Sequence, residues 1–426
     1  MANCCVVGAQ WGDEGKGKIV DVLSEHAAIV ARYSGGANAG HTVKIKGEIF
    51  ALHLIPTGVL HPQVTCVIGN GMVLDLPQLF AEIDGLSARG IAIEARLKIS
   101  AAANVVMPYH KILERYSEQQ RGGEALGTTM RGIGPAYADK VSRHGIRTAC
   151  LLNPEALRQR IMSNTDDINR RTEGAVVREG LTAERIIDDT LRYADRLRPM
   201  LTDTSLYLHE AWRNGKTLLL EGAQGTLLDI DFGTYPFATS SNNTVGGAFT
   251  GLGISPKVVD CFIGVAKAYA TRVGNGPFPT ELSDAVGERL REAGGEFGTT
   301  TGRPRRCGWL DLVALRYAVR VNGLDYLAIT KMDVLDGMAD IPVCTAYDLD
   351  GQRTDQMPVD MCALCRCRPI LTSLPGWAPS STKGLTQYTT LPAAAQKYLE
   401  YIEEFTGARI GIISTGAERH ETIMRM

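Results

Sequence analysis

Apolar residues along this chain fall in short runs that end on glycine or on a polar turn. The first, residues 4–7, is β-favouring and leads through a stretch bounded by Gly8 and Gly17 to Ile19, Val20, Val22 and Leu23, which recur at near-helical spacing. That pattern predicts strand, glycine loop, helix. Similar runs at residues 65–68, 217–220 and 327–329 stop at Gly69-Asn70-Gly71, Glu221-Gly222 and Thr330-Lys331. Their alternation with helical stretches predicts an α/β fold with a large, mostly parallel central sheet and crossover helices. In such sheets ligands sit beyond the carboxyl ends of the strands. Around residues 153–201 the pattern becomes helical and charge-rich, with Ile186, Ile187, Leu191 and Leu197 among exposed Arg, Asp and Glu, which predicts a helical subdomain. Near the end, Pro392 starts a helix with Ala395, Tyr398, Leu399, Ile402 and Phe405 on one face. Gly407 closes it before a strand at residues 409–413. No internal repeat, low-complexity tract or long linker interrupts the chain, so residues 1–426 read as one domain with a helical excursion.

Composition narrows the function classes. Lys and Arg number 45 against 47 Asp and Glu, so no global positive field is available for nucleic acid or an anionic membrane. An anion must be held locally. No run approaches the roughly 20 apolar residues that span a bilayer, and the opening MANCCVV has no charged segment ahead of its apolar run, so a cytoplasmic protein is expected. The ten cysteines are scattered, which favours reduced thiols over a disulfide framework. Cys362, Cys365 and Cys367 could offer three thiolates to a metal, but no neighbouring His or fourth Cys completes a tetrahedral set, and they read as ordinary thiols.

Chemistry concentrates in loops. Gly12-Asp13-Glu14-Gly15-Lys16-Gly17-Lys18 offers backbone N–H groups, a helix start and lysine charge to a polyphosphate, a P-loop-like arrangement. It departs from the P-loop in enclosing six residues between Gly8 and Gly15, where the P-loop has four, and in placing Gly17 where a magnesium-binding hydroxyl would stand. Asp13 is the acidic group left for the metal. In the loop from Ser34 to Thr42, Asn38, His41 and Thr42 are the chemical handles among small residues, and His41 suits a general acid. His53 reads as a hydrogen-bonded strand histidine. Thr330-Lys331-Met332-Asp333 follows a predicted strand: the Asp333 carboxylate suits the ring N–H and exocyclic amine of guanine, and the Lys331 stem can cover the base. The loop from Gly298 to Arg306 carries three hydroxyls and three guanidiniums, suited to a small dianion. Two further segments, residues 127–135 and 221–226, the latter continuing to Thr239 and Asn242, add amides and hydroxyls fit for a nucleotide.

The strings GDEGKGK, SGGANAGHT, GTTMRGIGPAY, EGAQGTLLDIDFGTYPFATSSN, TRVGNGPFPTE and TTGRPRRCGWLD stand in that order. With them the chain resembles the adenylosuccinate synthetase family from about Gly8 to Glu421-Thr422-Ile423. The resemblance implies a cytoplasmic homodimeric ligase that joins inosine monophosphate (IMP) to L-aspartate with GTP and Mg2+, through a 6-phosphoryl-IMP intermediate, in AMP biosynthesis. It implies catalytic roles for Asp13 as general base, His41 as general acid, Lys16 and Gln224, with magnesium on Asp13 and the backbone carbonyl of Gly40. GTP would lie on Gly12, Asp13, Glu14, Gly15, Lys16, Gly17, Lys18, Gly40, His41, Thr42, Arg305, Lys331, Met332, Asp333, Ser414, Thr415 and Gly416. IMP would meet Asp13, Glu14, Gly15, Lys16, Asn38, Ala39, Gly40, His41, Thr129, Gln224, Thr239 and Arg303, and also Arg143 from the partner subunit. Aspartate would be enclosed by Thr299, Thr300, Thr301, Gly302, Arg303, Pro304 and Arg305. Two departures stand out: Ala417 follows Gly416 where the family usually has proline, and residues 362–368 replace a more acidic, cysteine-poor segment. The same nucleotide cradle is open to a GTP-binding switch or an unrelated phosphotransferase. The missing hydroxyl after the phosphate lysine disfavours the first, and the Arg303 loop disfavours the second.

Overall fold

The computed structural model describes residues 2–298 and 302–426. Its centre is a ten-stranded sheet, made in chain order of β1 (Cys4–Gly8), β2 (Ile29–Arg32), β3 (Thr65–Ile68), β4 (Leu97–Ser100), β5 (Leu201–Thr202), β6 (Leu218–Glu221), β7 (Cys261–Lys267), β8 (Tyr326–Thr330), β9 (Arg409–Ser414) and β10 (Thr422–Met424). Across the sheet the order is β10, β9, β8, β7, β1, β6, β2, β3, β4, β5, and every pair is parallel except β9 with β10. The mostly parallel sheet expected from the apolar runs is present. Those runs are continuous rather than alternating because both faces of the sheet are covered: β1, β2 and β6 are buried at every position.

The chain leaves β1 for β2, runs outward through β3, β4 and β5, and comes back to lay β6 between β1 and β2 before building the other half. The direction of winding therefore reverses beside β1, and a crevice opens there at the carboxyl ends. Helix α1 (Lys16–Ser24) starts at that crevice and packs Ile19, Val20 and Leu23 against β1, β6 and β7.

Around residues 153–201 the helices Pro154–Arg171, Ala175–Arg178, Ala183–Leu191 and Ala194–Leu197 form as the periodicity indicates, with a break at Arg192 and Tyr193. Leu157, Ile161, Ile168 and Ile187 share one apolar cluster with Leu97 and Ile99 of β4, so the excursion packs on the sheet rather than standing apart. Three features differ from the sequence reading. His41 opens a strand, His41–Ile45, paired antiparallel with Glu48–Leu52, because Val43, Phe50 and Leu52 give that hairpin a buried face. His53 lies one residue past this hairpin rather than on a strand. A smaller sheet of Leu310–Asp311, Asp340–Leu349, Gln352–Thr354 and Arg368–Pro375 is interleaved with the main one, between β7 and β9 in sequence.

All ten cysteines are free thiols. Cys367 packs with Leu364, Cys344 and Tyr347, while Cys362 and Cys365 face solvent. Among the described residues, no group of three or more His, Cys, Asp or Glu is placed to hold a metal ion, and no helix is long and apolar enough to cross a membrane.

Candidate active site

The carboxyl ends of β1, β2, β6, β8 and β9 open onto one edge of the sheet, and the loops that follow them bring together residues far apart in sequence. The glycine loop leaves β1 with Gly12, Asp13 and Gly15 at φ of 82°, 58° and 85°. Gly15 caps α1 without a side-chain bond, so the first amides of the helix keep their donors for an anion. Glu14 turns inward. Its buried carboxylate accepts from the Gln10 and Gly12 amides at 3.1 and 2.9 Å and from the Lys16 ammonium, while the Thr330 hydroxyl donates to its carbonyl at 2.6 Å. Glu14 thus shapes the loop and aims Lys16, and Asp13 is left as the loop's exposed carboxylate, accepting from Arg305 Nη2 at 3.0 Å.

Backbones meet closely here. A Cβ on Gly225 would stand 2.3 Å from the Gln10 carbonyl oxygen and 2.6 Å from the Gly12 nitrogen, so the loops after β1 and β6 are in direct contact. A Cβ on Gly17 would stand 3.0 Å from that of His41. The hydroxyl residue of a P-loop would crowd the histidine, which gives the departure at Gly17 a steric reason.

His41 is buried at 5% exposure, and its Nδ1 donates to Glu221 Oε1 at 2.6 Å. Glu221 also accepts from Thr57, at 2.7 Å from the amide and 3.1 Å from the hydroxyl. Burial pushes the Glu221 carboxyl up, but His41 and Arg32 outweigh it and hold the group below its ordinary value. Burial pushes His41 down, and the Glu221 charge opposes that. With Nδ1 bound to a carboxylate, the remaining ring nitrogen, Nε2, is buried without a partner. Nearby, Gln224 (φ 52°) donates from Nε2 to Asn38 Oδ1 at 3.1 Å, and Asn38 Nδ2 reaches Thr239 Oγ1 at 3.4 Å. Gln224 Oε1 is likewise buried and unpartnered. An orphaned donor or acceptor costs about 1–3 kcal/mol, and these two, with Ser34 Oγ and Arg32 Nη2 also unpartnered around the end of β2, leave bonds at this edge of the sheet for a ligand to make.

On the other side of β1, Lys18 is committed to the last loop, donating to Ser414 Oγ and the Gly416 carbonyl at 2.8 Å each and to the Glu421 carbonyl at 2.7 Å. Burial lowers its pKa to about 8. These bonds fix the loop that carries Ala417, and the Thr415 hydroxyl adds a bond to the Leu385 carbonyl at 2.7 Å. Met332 is wholly buried, and Asp333 is half-buried beside Lys18 and Lys331. Burial raises the Asp333 carboxyl, the neighbouring Asp336 adds to this, and Lys331 and Lys18 oppose it.

Several expected residues lie at the rim. Thr42, Thr129, Gly302, Arg303, Pro304 and Arg143 are exposed, with Gly40 and Ala39 at the edge of the buried loop. Arg303 Nη1 would come 3.8 Å from a Cβ on Gly127, so the loops at 127–135 and 302–306 approach each other. Thr299, Thr300 and Thr301 lie outside the described residues. For magnesium, Asp13 is a single exposed carboxylate beside helix-start amides, a donor set that fits an ion held mainly by substrate phosphates rather than by a cage of protein ligands.

The family model of adenylosuccinate synthetase matches residues 5–423. The chain belongs to the adenylosuccinate synthetase family. The adenylosuccinate synthetases of Trichodesmium erythraeum and Myxococcus xanthus are each 51% identical to it over its whole length, covering 97% and 98% of theirs. A fully ligated adenylosuccinate synthetase from Plasmodium falciparum superposes with a TM-score of 0.95 at 39% identity, with 100% of both chains covered. A cyanophage S-2L succinoaminodeoxyadenylate synthetase shares the fold at 20% identity and a TM-score of 0.63. The activity of adenylosuccinate synthetases is the GTP-dependent ligation of IMP and L-aspartate, and the chain is accordingly a ligase of purine nucleotide synthesis. Within this adenylosuccinate synthetase fold, Glu221, Thr57 and Glu296 were not singled out by the sequence. Only Glu221 carried a signal, as the acidic residue ending a predicted strand three positions before Gln224.

Proposed function

We propose that this chain carries out the family's ligation in two steps on the cradle around β1, with Asp13, His41, Lys16 and Gln224 as the catalytic groups. The observation that supports this most is the pair of buried, unpartnered atoms, His41 Nε2 and Gln224 Oε1, in the segments that follow the neighbouring strands β2 and β6, with the exposed Asp13 carboxylate on the loop after β1. Asp13 takes the N1 proton of the hypoxanthine, and the electrons move to O6, which attacks the γ-phosphorus of GTP. The bond to the β-bridging oxygen breaks and GDP leaves. His41 Nε2–H donates to the transferring group, stabilising charge that grows in the transition state. The aspartate amine then adds at C6, and the C6–O bond breaks to release phosphate. Magnesium, on Asp13 and the Gly40 carbonyl, would neutralise charge on the phosphates.

IMP is read onto Asn38, Gln224, Thr239, Thr129 and Arg303, GTP onto the glycine loop, Lys331 and Asp333 at the guanine, and the loop at Ser414, and aspartate onto the loop ending at Arg305. The hydrogen-bonded series Gln224, Asn38, Thr239 supports the first of these. We read residues 1–426 as one folding unit, cytoplasmic and homodimeric. Arg143 supports the dimer: it is exposed at the end of helix Ile133–Ser142, two residues after Val141, which is 80% exposed on that surface.

The test is phosphate release together with ultraviolet detection of adenylosuccinate from GTP, IMP, aspartate and magnesium, omitting each in turn. Product and phosphate should appear one for one and only with all four. Phosphate release that ignores IMP and aspartate would replace the ligase with a GTPase. Asp333→Asn is expected to weaken GTP use by about tenfold or more and to improve use of xanthosine triphosphate, since a donor then faces the position of the exocyclic amine. Unchanged nucleotide preference would remove Asp333 from the base site. Mixing the inactive Asp13→Ala and Arg143→Ala proteins should restore part of the activity, and no recovery after verified subunit exchange would place Arg143 within its own subunit's site.

A further inference from the structure

Glu296 lies just after helix Ala285–Gly294, at the root of the loop that ends in Arg305, and its carboxylate is fully buried. It accepts from Arg305 Nη1 at 2.8 Å, from Lys267 Nζ at 2.7 Å, from Lys331 Nζ at 3.1 Å and from the Tyr269 hydroxyl. Its backbone carbonyl takes the Arg305 amide at 2.9 Å, closing the stem of that loop. Burial pushes the Glu296 carboxyl up, but Lys267, Lys331 and Arg305 prevail and hold it far below its ordinary value. Lys267, wholly buried at the end of β7, is spent within the cluster, on Glu296 and on the Thr271 hydroxyl at 2.6 Å. Arg305 and Lys331 instead each have part of the side chain outside it. Arg305 reaches on to Asp13, and the Lys331 side chain is 30% exposed.

We propose that Glu296 is a positioning residue shared by the aspartate and guanine sites, orienting Arg305 toward one and Lys331 toward the other from a single buried carboxylate. The physical ground is that three cations converge on one anion that water does not reach. Neither Arg305 nor Lys331 can leave its orientation without unpairing part of that anion. Oε1 takes Lys267, Lys331 and the Tyr269 hydroxyl together, while Oε2 takes Arg305, so each oxygen of the carboxylate holds one of the two outward-reaching cations. The inference rests on the proposed placement of aspartate at Arg305 and guanine at Lys331.

The experiment measures KM for all three substrates in wild type, Arg305→Leu, Lys331→Met, Glu296→Gln and Glu296→Gln/Lys331→Met. Arg305→Leu should raise KM for aspartate and Lys331→Met should raise KM for GTP. If neither does, the substrate placement fails, and the role of Glu296 falls with it. With the placement intact, Glu296→Gln should raise KM for aspartate and for GTP by about tenfold each, with KM for IMP within about twofold, the loss of a charge-assisted bond at each cation. In the double variant the GTP effect should be no larger than in Lys331→Met alone, while the aspartate effect persists. A rise in one constant only, an equal rise in all three, or full additivity for GTP overturns the proposal. Should Glu296→Gln fail to fold, Tyr269→Phe, which keeps the carboxylate, decides by the same selective rise in the two constants at about threefold. A flat result overturns the proposal.

Discussion

Asp13→Asn is expected to lower turnover by about three orders of magnitude or more with the fold intact, because the substitution removes a proton acceptor and leaves the backbone undisturbed. Asp13 sits at φ 58°, a left-handed conformation that asparagine adopts as readily as aspartate. Its carboxylate is 31% exposed, so no buried charge is stranded, and its partner Arg305 retains Glu296. The thermal midpoint should therefore stay within about 2 °C of wild type, as for other exposed substitutions. The check is single-turnover phosphate release from GTP in the presence of IMP, aspartate and magnesium, beside a melting curve. Turnover within about tenfold of wild type would remove Asp13 from the proton transfer.

Glu221→Gln is the second large effect, and it has two separable parts. Glu221 holds His41 Nδ1 at 2.6 Å and is itself held by Thr57, so the amide keeps most of the geometry while losing the charge. Loss of one partner of a buried pair should cost about 3 kcal/mol of stability, read from denaturant unfolding. The chemical part has a definite sign. Burial already depresses His41, and removing the opposing carboxylate depresses it further, so less imidazolium is present at any given pH. A general acid must be protonated, so the alkaline limb of the kcat profile should move to lower pH and kcat near neutrality should fall about a hundredfold. A stability loss with an unmoved alkaline limb would make Glu221 a packing group only.

What the sequence disclosed and what it withheld divide along a physical line. The strand, glycine loop and helix at the start were legible because an apolar run, a glycine-rich turn and a helical period are local signals. Asp13, Lys331 and Asp333 could be placed beyond strand ends for the same reason, and the family resemblance extended this to the order of the remaining loops. The lateral position of β6 was not legible, since nothing in residues 218–221 says that they insert between β1 and β2. The pairing of His41 with Glu221 depends on that insertion. Glu296 was hidden in the same way: an acidic residue after a helix looks solvated until Lys267, Lys331 and Arg305 are brought around it. His41 was read into a loop because small residues and glycines precede it, whereas the buried face of the hairpin that follows makes it the first residue of a strand.

The return of β6 to the middle of the sheet also sets the order in which the protein can become active as it is synthesised. Until residues 218–221 have emerged, β1 has no neighbour on either side, since its other partner, β7, comes later still. Asp13 and His41 are among the first residues made, yet His41 waits 180 positions for Glu221, Asp13 waits 292 for Arg305, and Lys18 waits 396 for Ser414. On the proposed assignment, a nascent chain therefore carries its acid and base long before it can use them, and a chain cut short of the last loop should bind GTP incompletely.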